Sequence, residues 1–497
     1  MKDPLKQTLL ARVYDVATES PLQRATKLST QVGADVYLKR EDLQPVHSFK
    51  LRGAYNKIAS LSPAERAKGV IAASAGNHAQ GVALSAQKLG IRALIVMPTT
   101  TPSIKVDAVK SYGAQVELVG DSYSDAYDHC MQRVKETGMT FVHPFDDPLV
   151  IAGQGTIGRE LLEQLPDMTH VFVPVGGGGL IAGVSQFIKG IRPDVKIIGV
   201  EPEDSNAMQQ SLQAGKVVTL DHVGIFADGV AVKSVGQLTF QITQKYVDQV
   251  ITVSTDQMCA AIKSLFEDTR SIVEPAGALA AAGVQHYKLP KDAKAVAICS
   301  GANVSFERLQ QIAERTLIGS GKEALFAVTM PEQAGALHTF CQQVLNGHSI
   351  TEFNYRLNKR EGAHVLVGVS VANEADKLAF MKKMQQDDYE HIDLSGDDIA
   401  KEHVRHMVGG PADQAKSERL YQIDFPERPG ALGGFLAAVG TAWNISAFHY
   451  RNAASDTGNV LIGFEVDNPT KLEDKLSQAG YQWRSVDHSP SLKVFIE

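Results

Sequence analysis

Sulfur and indole are scarce in this chain. Its 497 residues include four cysteines and two tryptophans. The cysteines (Cys130, Cys259, Cys299 and Cys341) form no C-x-x-C pair and join no histidine cluster. That speaks against a disulfide framework or a structural zinc site, and makes a reducing, cytoplasmic setting the expectation. Neither sign of charge dominates: 49 Lys and Arg face 56 Asp and Glu, a net charge of −7. Such a balance offers no electrostatic footprint for nucleic acid or an anionic membrane surface. Long apolar runs are missing too. The segment "SIVEPAGALAAAGVQHY" is interrupted by Glu274 and Pro275 and is too short to span a bilayer. The opening "MKDPLKQTLLARVYDVATES" has no apolar secretion core, and its Asp3, Asp15 and Glu19 argue against a transit peptide.

What is present reads as a soluble globular chain, 44% hydrophobic and 21% charged. Its length implies roughly two to four domains. Through residue 316, short apolar strands alternate with helical stretches. The strand candidates are "VYLKRE", "GVIAAS", "ALIVMP", "QVELVG", "HVFVPV", "KIIGVE", "QVITVS" and "AVAICS". This alternation predicts a doubly wound α/β architecture in two lobes. Three strands run into polar or glycine-rich loops: "GVIAAS" into "AGNHAQG", "HVFVPV" into "GGGGL", "AVAICS" into "GANVS". In open α/β sheets ligands bind beyond the carboxyl ends of strands, so one site can gather all three loops.

The pattern then changes. "LFAVTMPEQAGALHTFCQQVLNGHSITEFNYR" is echoed by "LYQIDFPERPGALGGFLAAVGTAWNISAFHYR". Pro331 to Pro426 and Ile350 to Ile445 are both offsets of 95, so the copies align without a gap. Each reads as a strand, a P-E-x-x-G-A-L turn into a helix, and a strand ending F-x-Y-R. The expected organisation is a domain over 1–316, a linker over 317–324, an α+β module over 325–408, a connection over 409–418 and a second module over 419–497.

The chemistry turns on a few stretches. In "HSFKLRGAYN", Lys50 follows Ser48 and Phe49 at a loop-to-helix entry. It reads either as a solvated helix lysine or as a Schiff-base lysine that must lose its proton. In "VFVPVGGGGLIAG" (Val171 to Gly183) four consecutive glycines precede a helix-compatible run. Backbone N–H groups there make an anion cradle at a helix N-terminus. A ligand-free turn and a dinucleotide fingerprint are the competing readings, since Glu201 lies about twenty residues on. No Lys-Ser/Thr pair follows the glycines, so this is not a nucleotide-triphosphate loop.

The motifs "SFKLRGA", "SAGNHAQG", "GGGGL", "EPAGA" and "SGAN" occur here in that order. Their order and spacing resemble those of the pyridoxal-phosphate enzymes of the tryptophan-synthase-β type (fold type II). The segment "FADGVAV" (Phe226 to Val232) brings the first half nearest to the threonine and serine dehydratases. The two C-terminal repeats resemble ACT-like regulatory domains, which narrows the resemblance to the biosynthetic threonine deaminase (threonine ammonia-lyase) family.

The resemblance implies a site. Lys50 would hold pyridoxal 5′-phosphate, with Phe49 beside it. Gly176, Gly177, Gly178, Gly179 and Leu180 would bind the phosphate, Asn77 the 3′-oxygen, and Ser300 the pyridine nitrogen. A serine hydroxyl protonates that nitrogen poorly, which favours β-elimination over transamination. Ser74, Gly76, Asn77 and His78 would receive the carboxylate of L-threonine, and Lys50 would remove the α-proton. The products would be 2-oxobutanoate and ammonia, with some activity on L-serine. Glu274 reads either as a group near the ring or as a helix-start carboxylate before Pro275. Serine-racemising relatives carry a second serine where this chain has Ala75, so racemisation is not expected. Glu201 and Ser205 match two positions of those enzymes' metal site, but Ala207 replaces the third, and no metal is expected.

For the repeats, the resemblance implies isoleucine as inhibitor, valine as antagonist, and a homotetramer. Effector contacts would fall on Glu332, Gly335, Leu337 and Tyr355 in the first module, and on Glu427, Gly430, Leu432 and Tyr450 in the second. Aromatic residues on half-buried strands more often pack than bind. A serine-preferring dehydratase of the same fold and a non-catalytic amino-acid sensor are the alternative functions. The tandem modules disfavour the first, and the intact Lys50, Asn77, Ser300 and glycine loop disfavour the second.

Overall fold

The computed structural model describes residues 3–331, 340–345, 348, 350–355, 362–406, 417–426, 435, 438–439, 442–450 and 457–495. The chain divides into two compact units, Met1–Ile312 and Ala313–Glu497.

Ten strands are described in the first unit: β1 (Leu22–Arg24), β2 (Asp35–Arg40), β3 (Val70–Ala73), β4 (Ala93–Met97), β5 (Gln115–Leu118), β6 (Thr140–Phe141), β7 (His170–Pro174), β8 (Lys196–Pro202), β9 (Gln249–Val253) and β10 (Lys294–Cys299). The larger lobe is a six-stranded sheet in the order β1-β2-β10-β7-β8-β9, and the smaller a four-stranded sheet in the order β5-β4-β3-β6. All neighbours are parallel except β1, which runs antiparallel to β2. Every residue of β3, β4 and β7 is buried, which is why these strands read as unbroken apolar runs. In β7, Phe172 packs into one core while Val171 and Val173 enter the core on the opposite face. Helices therefore cover both sides of the sheet, as the sequence pattern predicts.

The second unit has two antiparallel sheets. The first, ordered β12-β13-β11-β14, comprises β11 (Glu323–Pro331), β12 (Ile350–Tyr355), β13 (Gly362–Ser370) and β14 (His391–Asp393). The second, ordered β16-β17-β15-β18, comprises β15 (Glu418–Pro426), β16 (Asn444–Tyr450), β17 (Thr457–Glu465) and β18 (Trp483–Ser485). The 95-residue offset survives in the pairing, since Tyr355 faces Val365 and Tyr450 faces Val460. Even the register shift recurs, between Ile350 and Glu352 and again between Ile445 and Ala447. Only the fourth strand breaks the period, at an offset of 92 (His391 to Trp483). Alternation along β11 sends Ala324, Phe326 and Val328 into a core with Phe380 and Met384 of the Glu374–Gln386 helix. Leu325 and Ala327 point the other way, into a core shared with Leu420 and Leu461 of the second sheet. The two modules thus share one apolar layer within this unit.

Candidate active site

Three strand ends meet at one cavity. Beyond β3 lie Ser74, Ala75 and Gly76, then the Asn77–Leu89 helix. The Ser74 hydroxyl accepts the Gly76 N–H at 3.3 Å. The N–H groups of Ala75, Asn77 and His78 donate to none of the described residues. Beyond β7, Gly176 to Gly178 lead into the Gly179–Ile191 helix. Beyond β10, Ser300 begins the loop "SGAN".

Lys50 opens the Lys50–Ala59 helix. The loop before it is knitted to the Ser300 loop: Phe49 N donates to Ser300 O at 3.2 Å, and Ala302 N to His47 O at 2.9 Å. Two residues on, the fully buried Arg52 anchors the helix. It donates to both Glu41 oxygens at 2.8 Å and to Glu160 Oε1 at 2.5 Å. Lys39, also fully buried, meets Glu160 Oε2 at 2.6 Å. Burial opposes charge here, but Glu41 and Glu160 hold the Arg52 pKa above its ordinary value.

The cavity holds about 500 Å³ of empty space, part of it open to solvent. Phe49, Lys50, Asn77, the four glycines, Leu180, Glu274 and Ser300 line it. None of the five N–H groups from Gly176 to Leu180 donates to a described residue. The loop has no room for side chains on its packed face. A Cβ on Gly177 would enter the Phe145 ring, and one on Gly176 would stand 2.8 Å from Val230 Cα. Gly178 also holds φ at +93°, a left-handed conformation suited to glycine.

The ionisable groups are set by burial. Burial lowers the Lys50 pKa, with Glu274 and Asp228 pulling back upward. Burial, then the charge of Asp228, pushes Glu274 up to about 7. Glu274 occupies the N-cap of the Pro275–His286 helix but caps nothing with its side chain. Its Oε1 instead accepts from Asn77 Nδ2 at 2.7 Å. Of the two sequence readings, the geometry therefore favours the group that faces the cavity. Ser300 Oγ donates to Ala276 O at 3.2 Å. His78 turns away, its Nε2 donating to Val142 O at 2.8 Å, and burial drives its pKa down to about 3. His78 is thus a neutral ring whose Nδ1 can only accept.

Elsewhere, Glu201 uses both carboxylate oxygens to accept the N–H groups of Met208 and Gln209, at 2.9 and 2.8 Å. It caps the helix that begins at Ala207. Among the described residues, no group of three or more His, Cys, Asp or Glu is placed to hold a metal ion, and no helix is long and apolar enough to cross a membrane. Of the effector candidates, Glu332, Gly335, Leu337, Glu427, Gly430 and Leu432 lie outside the described residues. Tyr355 and Tyr450 end β12 and β16. The sequence did not single out Phe145, Gln154 or Gly229, which also line the cavity. Gly229 falls inside the quoted "FADGVAV" segment; Phe145 and Gln154 carry no such signal.

Residues 13–301 match the family of pyridoxal-phosphate dependent enzymes. The chain belongs to that family. Residues 314–404 and 409–496 each match the C-terminal regulatory domain of threonine dehydratase. The biosynthetic L-threonine dehydratase IlvA of Burkholderia multivorans is 50% identical over 503 residues, covering 99% of either chain. Its Escherichia coli counterpart is 48% identical, covering 99% of this chain and 96% of its own. Among solved structures, the processed threonine deaminase isoform 2 of Solanum lycopersicum superposes with a TM-score of 0.61 at 51% identity, covering 63% of this chain and 87% of that one. Maize serine racemase gives 0.60 at 35% identity, covering 63% and 97%. The residues of this pyridoxal-phosphate enzyme fit its cofactor on their own chemistry. Five uncommitted amides suit a phosphate, an amine of lowered pKa suits an aldehyde, and an amide and a hydroxyl remain for the ring.

Proposed function

We propose that this enzyme eliminates water from L-threonine and releases 2-oxobutanoate and ammonia at the head of isoleucine synthesis. The curated relatives named above are called biosynthetic L-threonine dehydratases. One observation carries the reading: the Lys50 amine and the uncommitted amides of Gly176 to Leu180, distant in sequence, line the same cavity.

The cofactor, when bound, supplies an electron-withdrawing ring conjugated to the substrate nitrogen, which acidifies the α-carbon. The protein does the rest. The glycine-loop amides grip the phosphate at a helix N-terminus. The free N–H groups of Ala75, Asn77 and His78 receive the substrate carboxylate at another. Lys50 would hold the cofactor through its Nζ, and the same amine would take the α-proton of the substrate; its lowered pKa keeps more of it in the neutral form that can do so. The substrate loses its α-proton and its β-hydroxyl, together the elements of one water. The released enamine tautomerises and hydrolyses to the keto acid and ammonia. The neutral Ser300 hydroxyl would turn from Ala276 O to donate to the ring nitrogen, and as a poor acid it would leave that nitrogen unprotonated.

Maize serine racemase is similar in fold, but the methyl group of Ala75 has no proton to deliver, and we assign elimination. L-Serine fits as a second substrate, lacking only the γ-methyl. The two C-terminal modules are assigned to isoleucine, with valine opposing it, in a cytoplasmic homotetramer. An effector acts there by binding two global states unequally. The test is an absorption spectrum of the purified protein before and after L-threonine, with 2-oxobutanoate assayed in the same cuvette. A visible cofactor band that shifts as keto acid accumulates supports the reading; no band after adding pyridoxal phosphate overturns it. Isoleucine added to the same assay tests the modules.

A further inference from the structure

Asn303 lies in the loop after β10 and is absent from the cavity lining. Its Nδ2 donates twice, to Val46 O at 2.9 Å and to Asn77 Oδ1 at 2.6 Å. The first bond decides the second. A backbone carbonyl only accepts, so the group Asn303 turns toward Val46 is its NH2 and not its oxygen. The atom of Asn77 facing that NH2 is then its oxygen. The Asn77 NH2 must lie on the other side, where it donates to Glu274 Oε1 at 2.7 Å. One of its two protons is used there and the second remains for the cavity.

We propose that Asn303 is a positioning residue that locks the Asn77 side-chain amide with its donor toward the cofactor's 3′-oxygen. This rests on the reading of Asn77 given above. An asparagine amide is nearly symmetric in shape, and a half-turn about its last bond would exchange donor for acceptor at little steric cost. Facing an oxyanion, that exchange replaces an attraction by a repulsion. Asn303 removes the ambiguity through a chain of donors that ends on a fixed backbone carbonyl four residues before Lys50. Its own backbone is held by its neighbours: Ala302 N donates to His47 O, and Ser48 bridges Gly301. The amide that orients the ring is thereby tied to the loop that carries the lysine.

The sharp variant is Asn303→Asp, which keeps the shape but can only accept, and so favours the flipped Asn77. The measurements are made on the full-length holoenzyme. One is retention of pyridoxal phosphate, titrated back into stripped protein through its visible band. The other is the wavelength of that band. Asn303→Asp is expected to weaken retention about tenfold and to displace the band, since a charge-assisted bond is lost. Where this variant does not fold, Asn303→Ser, which still donates once, is expected to fall between wild type and Asn303→Ala. A double-mutant cycle separates positioning from mere packing. Adding Asn303→Ala to Asn77→Ala should change retention less than about twofold, because nothing remains to be oriented. The inference is overturned if Asn303→Ala costs the same factor with or without Asn77. It is equally overturned if Asn303→Asp retains cofactor and band like wild type. A wild-type protein that forms no band at all instead brings down the underlying reading of the site.

Discussion

Asn77 and Glu274, 197 residues apart in the chain, meet at 2.7 Å inside the cavity. The contact joins the start of a small-lobe helix to the start of a large-lobe helix. It also gives a buried carboxyl a neutral donor instead of a cation. Burial, and then the charge of Asp228, outweigh the pull of Asn77, Lys105 and Lys50, and Glu274 is pushed up to about 7.

That value has a consequence for stability. A carboxyl whose pKa rises on folding binds more protons folded than unfolded, so stability falls as pH climbs from its unfolded value, about 4.5, toward about 7. Glu274→Gln abolishes this titration while keeping an oxygen for Asn77. In the cofactor-stripped protein, the variant's melting temperature should therefore gain on wild type between about pH 4.5 and pH 7, with a ceiling of about 3 kcal/mol. A difference that stays flat over that window would show that Glu274 is ionised throughout.

The glycine loop makes a packing prediction. Because a Cβ on Gly177 would enter the Phe145 ring, Gly177→Ala should lower stability by about 1–3 kcal/mol and weaken cofactor retention. Phe145→Ala opens the space the new methyl needs. In that background the same glycine substitution should cost visibly less in melting temperature. Equal costs in both backgrounds would mean that the ring is not what excludes the side chain.

The cluster beneath Lys50 predicts a larger effect. Glu160 is buried with Arg52 at 2.5 Å and Lys39 at 2.6 Å, so Glu160→Ala leaves the buried Lys39 without its carboxylate and Arg52 with Glu41 alone. The expected loss is about 3–5 kcal/mol, read from urea unfolding. The exposed Arg159–Glu163 pair on the same helix serves as control. Glu163→Ala should cost no more than about 0.5 kcal/mol. Comparable losses at the two positions would remove the case for a buried anchor under the lysine helix.

The sequence made legible whatever had a strong local signal. All eight strands expected in the first half are present; the clearest, β3, β4 and β7, are unbroken apolar runs because they are buried on both faces. β1 and β6 escaped, being three and two residues long and only partly buried. The repeat offset of 95 anticipated even a shared register shift, yet not the offset of 92 at the fourth strand, where the sequence echo is faint. At the site, Lys50, Asn77, Ser300 and the glycines were named by their motifs. Phe145 and Gln154 were not, because lining a cavity is a property of three-dimensional packing. Asn303 sat in a quoted motif without a role. Its role lies in two bonds to residues 226 and 257 positions away, which no local pattern encodes.

Ala75 carries the last prediction. It lies between Ser74 and Gly76, and its N–H donates to none of the described residues. Racemisation needs a proton delivered to the face of the α-carbon opposite Lys50, and a methyl group has none. Ala75→Ser adds one hydroxyl to a loop whose neighbouring Ser74 already engages the Gly76 amide. D-Serine formed from L-serine, measured by chiral chromatography, should be undetectable in the wild type and appear in the variant, while 2-oxobutanoate formation from threonine persists. If the variant still eliminates and forms no D-serine, the missing hydroxyl is not what bars racemisation. The constraint would then lie in how the loop presents the substrate to Lys50.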